Sequence, residues 1–214
     1  EDWANFEIYL KRVWFSNGIH HHYSNDKIKP AFSQTYFQKL LKATDTKLDG
    51  SIVEILFNDV DGKKVNLDES KGFVQGSAVN FYGKNISDLD VERYYKSLKQ
   101  EDPLRPISLG LNSKLVRNNA GKLEEKVWKS GGMYGAAIDK VIYWLEQAVL
   151  VAENKPQADA LKLLIDFYKT GDLKTWDAYN IAWLNATEGN IDYINGFIEV
   201  YNDPLGHKGS YEST

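Results

Sequence analysis

No cysteine occurs in the 214 residues. That excludes a disulfide framework, a thiolate metal site and a cysteine nucleophile. There is no His-Glu-x-x-His run, so these residues hold no zinc-hydrolase centre of that kind. Gly-x-Ser-x-Gly is missing too, and with it the serine-hydrolase elbow. No apolar run approaches the roughly 18 residues of a membrane span. Lysines and arginines do not cluster, and the formal charge is −4 with a pI near 5.6. The phosphate neutralisation that nucleic-acid binding requires is therefore lacking. The first residue is Glu1 rather than Met, and no signal peptide is seen, so the chain reads as processed or truncated.

Aromatic residues are abundant, with 6 Trp, 13 Tyr and 9 Phe. Such a composition suggests extended apolar surface, or surface that contacts peptide or carbohydrate. A chain of this length can bury roughly 70% of its unfolded surface.

Residues 2–16 carry Trp3, Phe6, Tyr9, Leu10 and Val13 at helical spacing and stop at Asn17-Gly18. Ser33 is placed to cap a second helix bearing Tyr36, Phe37, Leu40 and Leu41. Residues 52–57 form an apolar run that fits helix or strand. Asp59-Val60-Asp61-Gly62 is a turn that begins like a calcium loop but lacks the later acidic positions. Residues 78–82 read as a strand, and a helix follows from about Ser87 to Lys99. Asn118-Asn119-Ala120-Gly121 is a hairpin turn between arms at 108–117 and 122–129. Three further helices follow: one after Gly131-Gly132, one begun by Pro156 and stopped by Gly171, and one capped by Asp172. The fold class is α+β, mainly helical, with a small mixed sheet or partial barrel.

Two runs stand out chemically. Asn17-Gly18-Ile19-His20-His21-His22-Tyr23-Ser24 sets three histidines in a row. On a strand only His20 and His22 would share a face, so metal ligation, ligand contact in a loop, and loop packing or capping all remain open. Gly196-Phe197-Ile198-Glu199-Val200-Tyr201-Asn202-Asp203-Pro204-Leu205-Gly206 reads as a strand ending in a turn. Strict alternation would turn Glu199 and Tyr201 to one face and Ile198 and Val200 to the core. His207 and Lys208 follow beside them. Gly131-Gly132-Met133-Tyr134-Gly135 lies where phosphate loops occur but matches neither the dinucleotide nor the Walker spacing, so it reads as a tight turn.

Together the two runs resemble the dipeptidyl peptidase III family of zinc metallopeptidases, in its bacterial branch. The likeness extends through residues 110–116, Lys126-Val127-Trp128 and the Gly131–Gly135 turn. It implies a two-lobed enzyme that removes dipeptides from peptide N-termini. One lobe is helical and carries zinc on His-Glu-x-x-Gly-His and an acidic motif, neither found in these residues. The other is a small β-barrel wrapped by helices. The expectation is that residues 1–214 form a single domain, most of that non-zinc, substrate-binding lobe, with an incomplete barrel. Its partners would be a short peptide and the zinc-binding lobe. Zinc belongs to the full-length enzyme, and no cofactor is expected in these residues.

By position, the resemblance gives Glu199 the task of holding the peptide's amino terminus. It gives Tyr201 the catalytic role of reaching the scissile carbonyl. Tyr23 and His22 would line the amino-terminal subsites, and Ile198 would support the substrate strand. Asn202 joins this set, although animal members have a basic residue there. Both Glu199 and Tyr201 are then expected to be exposed on one strand face. The rival from another class is a non-catalytic peptide- or glycan-binding module. A nucleotide-binding transferase using Gly131 to Gly135 is a second rival.

Overall fold

A computed structural model describes residues 1–58 and 62–214. The acidic part of the calcium-like turn, Asp59 to Asp61, lies outside the described residues. The chain divides into two compact units, Glu1–Val79 and Asn80–Thr214.

The first unit contains α1 (Asp2–Phe15), α2 (Gln34–Ala43) and α3 (Gly50–Phe57). The Ser33 hydroxyl accepts from the Tyr36 N–H, the N-cap expected from sequence. The ambiguous run at 52–57 is helical because the Asp49 side chain accepts from the Ser51 N–H and starts α3. The core here is aromatic. Phe32 meets Phe6 and Tyr9 edge-on, each with ring centroids 5.5 Å apart. Such pairs add about 0.5–1.5 kcal/mol beyond the area they bury.

The second unit contains α4 (Asp88–Ser97), the strands β1 (Ser113–Arg117) and β2 (Leu123–Val127), the helices α5 (Gly135–Leu150), α6 (Lys155–Thr170) and α7 (Leu173–Asn185), then β3 (Asn195–Glu199) and β4 (Ser210–Ser213). Ser87 and Asp90 close a reciprocal capping box at the start of α4. Gly171 ends α6 at φ +72°, a left-handed position that favours glycine. Helix α6 is the centre of this core, burying Ala160, Leu161, Leu164, Ile165, Phe167 and Tyr168. Each large apolar side chain so buried contributes about 1.5–3 kcal/mol.

The sheets are two antiparallel pairs, β1 with β2 and β3 with β4, and no closed barrel forms among the described residues. This is the expected α+β class, with its strands in two small antiparallel pairs. The hairpin turn is as expected: Asn118 Oδ1 accepts from the N–H groups of Ala120 and Lys122. Its arms are shorter than expected, because residues 109–112 turn instead, with the Leu111 N–H donating to the Ser108 carbonyl.

The strand expected at 78–82 does not form. Ala78 and Val79 donate to the carbonyls of Lys63 and Lys64, whereas Phe81 and Gly83 bond Leu115, so the segment never follows one partner. Only Tyr82 bridges to the sheet, beside Leu115. The Gly131–Gly135 run is a tight turn, in which the Gly132 N–H donates to Lys129 and that of Gly135 to Gly132. Strand β4 has no counterpart among the elements expected from sequence.

Candidate functional site

Strand β3 is anchored from below before it carries anything functional. Phe197 is buried against Trp128 at a centroid distance of 4.9 Å. A Cβ at Gly196 would overlap the Trp176 ring, so only glycine lets the strand lie on that indole. Tyr168 donates its buried hydroxyl to Asn195 Oδ1 at 2.5 Å. Across the pair, Asn195 faces Ser213, Phe197 faces Tyr211 and Glu199 faces Ser210.

Between Phe197 and Glu199 the register shifts, and this bulge breaks the alternation assumed from sequence. Phe197 holds the strand to the core, and Ile198 packs against the same cluster. Ile198 is half-buried and Val200 exposed. Both line an open groove of about 1020 Å³ with Trp176, Trp183 and His207. Glu199 ends the strand and is exposed. Tyr201 is 58% exposed but belongs to the following turn, so the two do not share a strand face.

The turn after Tyr201 is built around Asp203, which is buried. Its Oδ2 accepts from the Tyr82 hydroxyl at 2.7 Å and from the N–H groups of His207 and Lys208, each at 2.9 Å. Its Oδ1 accepts from the Leu205 N–H at 3.1 Å. Burial and the neighbouring Asp203 charge push the Tyr82 phenol well above its ordinary range. Asn202 is buried and donates from Nδ2 to Ser210 Oγ at 2.8 Å. Its side chain therefore ties the turn to β4.

Lys208 departs furthest from its sequence appearance. It does not lie beside Glu199 on an exposed face; it is 0% exposed. Its ammonium bonds the Tyr95 hydroxyl, donates to Ser113 Oγ at 3.0 Å and pairs with Glu125 Oε1 at 3.5 Å. Glu125 Oε1 also accepts from Tyr95 and Ser113, each at 2.6 Å. The ammonium lies 4.8 Å from the Tyr95 ring centroid. Desolvation, only partly offset by Glu125 and Asp203, lowers the Lys208 amine to about 8. His207 stacks on Tyr95 at 4.3 Å, and burial lowers its imidazole below the usual value. The one local sequence signal for this cluster is Asp203-Pro204, a turn opener with an Asx side chain.

In the first unit, His22 and Tyr23 are exposed and meet edge-on at 4.8 Å. His21 Nδ1 accepts from the N–H groups of Tyr23 and Ser24 at 3.3 and 3.2 Å. His20 bridges to Lys27. The histidine run is thus a loop in which His21 caps the turn and His22 with Tyr23 faces outward. Among the described residues no three His, Asp or Glu side chains converge to hold a metal ion, so these residues do not fit a zinc site. No helix among them is long and apolar enough to cross a membrane.

Three comparisons bear on this architecture. The chain is 22% identical to dipeptidyl peptidase 3 of Dictyostelium discoideum, over 99% of its own length and 33% of that protein. It is 30% identical to the Homo sapiens dipeptidyl peptidase 3 over 38% of its length and 11% of that protein. The chain thus spans about a third or less of the curated relatives it matches. The structure of dipeptidyl-peptidase III from Corallococcus sp. strain EGB superimposes with a TM-score of 0.50 at 19% identity, covering 63% of this chain and 24% of that one. That likeness shows the fold. The model of peptidase family M49 matches residues 75–214, which include α4, both strand pairs and the Asp203 turn, and the chain belongs to that family.

Proposed function

We propose that this chain is the substrate-binding, non-zinc lobe of a dipeptidyl peptidase, and that Glu199 holds the free amino terminus of a short peptide. What supports this most is the pairing of exposed Glu199 and Tyr201 with a turn anchored by buried charge at Asp203 and Lys208. Side chains left in water on a rigid support are available to a ligand at little ordering cost.

A carboxylate accepting from an α-ammonium forms a charge-assisted hydrogen bond worth about 1.5–3 kcal/mol. Only an unblocked terminus can supply that ammonium, so the bond sets the register from the first residue. The Tyr201 hydroxyl would donate to the carbonyl of the second peptide bond as negative charge develops there. Such a donor lowers a barrier by about 2.7–4 kcal/mol.

In the full-length enzyme zinc would supply an activated water. These 214 residues lack the motif that the resemblance assigns to it. The chain alone should bind peptide without cleaving it. Calorimetric titration with a tetrapeptide, free and then N-acetylated, tests the reading, together with a dipeptidyl-naphthylamide assay in added zinc. Measurable binding of the free peptide only, with no turnover, is the expected result. Equal binding of both peptides, or clear turnover, would contradict it.

A further inference from the structure

Lys208 is the least expected residue of the second unit, because lysine is among the side chains that resist full burial. It is 0% exposed, yet its ammonium is bonded to Tyr95 of α4 and Ser113 of β1, and paired with Glu125 of β2. Three separate elements therefore grip one side chain. Its own backbone N–H donates to Asp203 Oδ2 at 2.9 Å, and the next residue, Gly209, donates to the Leu111 carbonyl at 2.8 Å.

The same clasp reaches Tyr201 through the turn. The Asp203 N–H donates to the Val200 carbonyl at 2.9 Å, and the Asn202 side chain is tied to Ser210. Tyr201 is thus exposed between two hydrogen-bonded neighbours, Val200 through its carbonyl and Asn202 through its side chain. A methionine at 208 would fill the stem's volume but could satisfy none of the polar groups around the ammonium. A buried ion pair adds little net stability over a well-packed apolar replacement, so stability alone does not account for lysine here. Its position in the turn does.

From these contacts we infer that Lys208 is a positioning residue: its burial against Tyr95, Ser113 and Glu125 fixes the 200–208 turn and, through it, the placement of Tyr201 and Glu199 for a bound peptide. This rests on the peptide-binding reading for its functional half. Its structural half stands on the clasp alone.

The test uses Lys208→Met and, in case that variant does not fold, Tyr95→Phe, which removes one partner of the ammonium. Amide exchange at His207, Lys208 and Gly209 is followed alongside affinity for the free and N-acetylated tetrapeptide. Exchange at those amides should quicken at least 10-fold in both variants. The preference for the free peptide should fall by a similar factor in the folded protein. Unchanged exchange with unchanged preference would overturn the inference, as would a lower melting temperature accompanied by full retention of both. Should the unaltered chain show no preference for the free amine, the peptide reading fails. The exchange data then still decide whether Lys208 fixes the turn.

Discussion

The Lys208 backbone N–H donates to Asp203 Oδ2 at 2.9 Å while its ammonium runs inward to Ser113 Oγ at 3.0 Å. One residue thereby closes a surface turn and fastens it to the hairpin beneath. Loss of the acceptor should be costly. Asp203→Ala deprives the Tyr82 hydroxyl and three backbone N–H groups of their partner. The expected loss is about 2–4 kcal/mol in urea unfolding, with Asp203→Asn costing less because one oxygen remains.

Lys208 also shapes the pH dependence. Its amine sits near 8 in the folded chain against a reference of 10.5. Between those values the unfolded chain binds more protons, so this lysine's contribution to stability rises as pH climbs from about 8 to about 10.5. The full effect is about 3 kcal/mol, since a tenfold change in proton affinity corresponds to about 1.4 kcal/mol. Tyr82 and Tyr95, raised by burial, act oppositely: above about pH 10 their unfolded phenols ionise and stability falls. Unfolding free energies measured from pH 7 to 11 should rise and then turn over, and Lys208→Met should reduce the rise; Lys64 and Lys114, whose amines burial also lowers, supply the remainder.

At the base of β3, Gly196→Ala drives a methyl into the Trp176 ring. Overpacking of that kind costs about 1–3 kcal/mol. Thermal unfolding should register the loss, and Trp176 fluorescence should shift as the indole is displaced.

The helices are largely legible in the sequence because their signals are local. Ser33 and Asp172 cap helices where expected, and Gly171 stops one. The site is only half legible. Glu199 and Tyr201 are exposed, as the resemblance implies, but the bulge at Ile198 is a product of pairing with β4, a short strand with no clear signal in the last residues. No periodicity reveals that Lys208 is buried, since its partners Tyr95, Ser113 and Glu125 lie far away in sequence. The Tyr82–Asp203 bond joins residues 121 positions apart. Tertiary packing wrote those features, and local propensity carries no trace of them.

Glu199→Gln should leave stability within about 0.5 kcal/mol, because the side chain is exposed at the strand end. Binding is where the change should register. A free-amine peptide should bind about 10- to 100-fold more weakly, the loss of one charge-assisted bond. Denaturation and calorimetry on the same preparation separate the two effects.

The most direct test couples that substitution with the ligand. Tetrapeptide affinity is measured for the unaltered chain and Glu199→Gln, each with the free and the N-acetylated peptide, and the four values form a cycle. The account predicts that acetylation weakens binding at least 10-fold in the unaltered chain and has almost no effect on Glu199→Gln. Equal sensitivity to acetylation in both proteins would show that Glu199 does not hold the peptide amine.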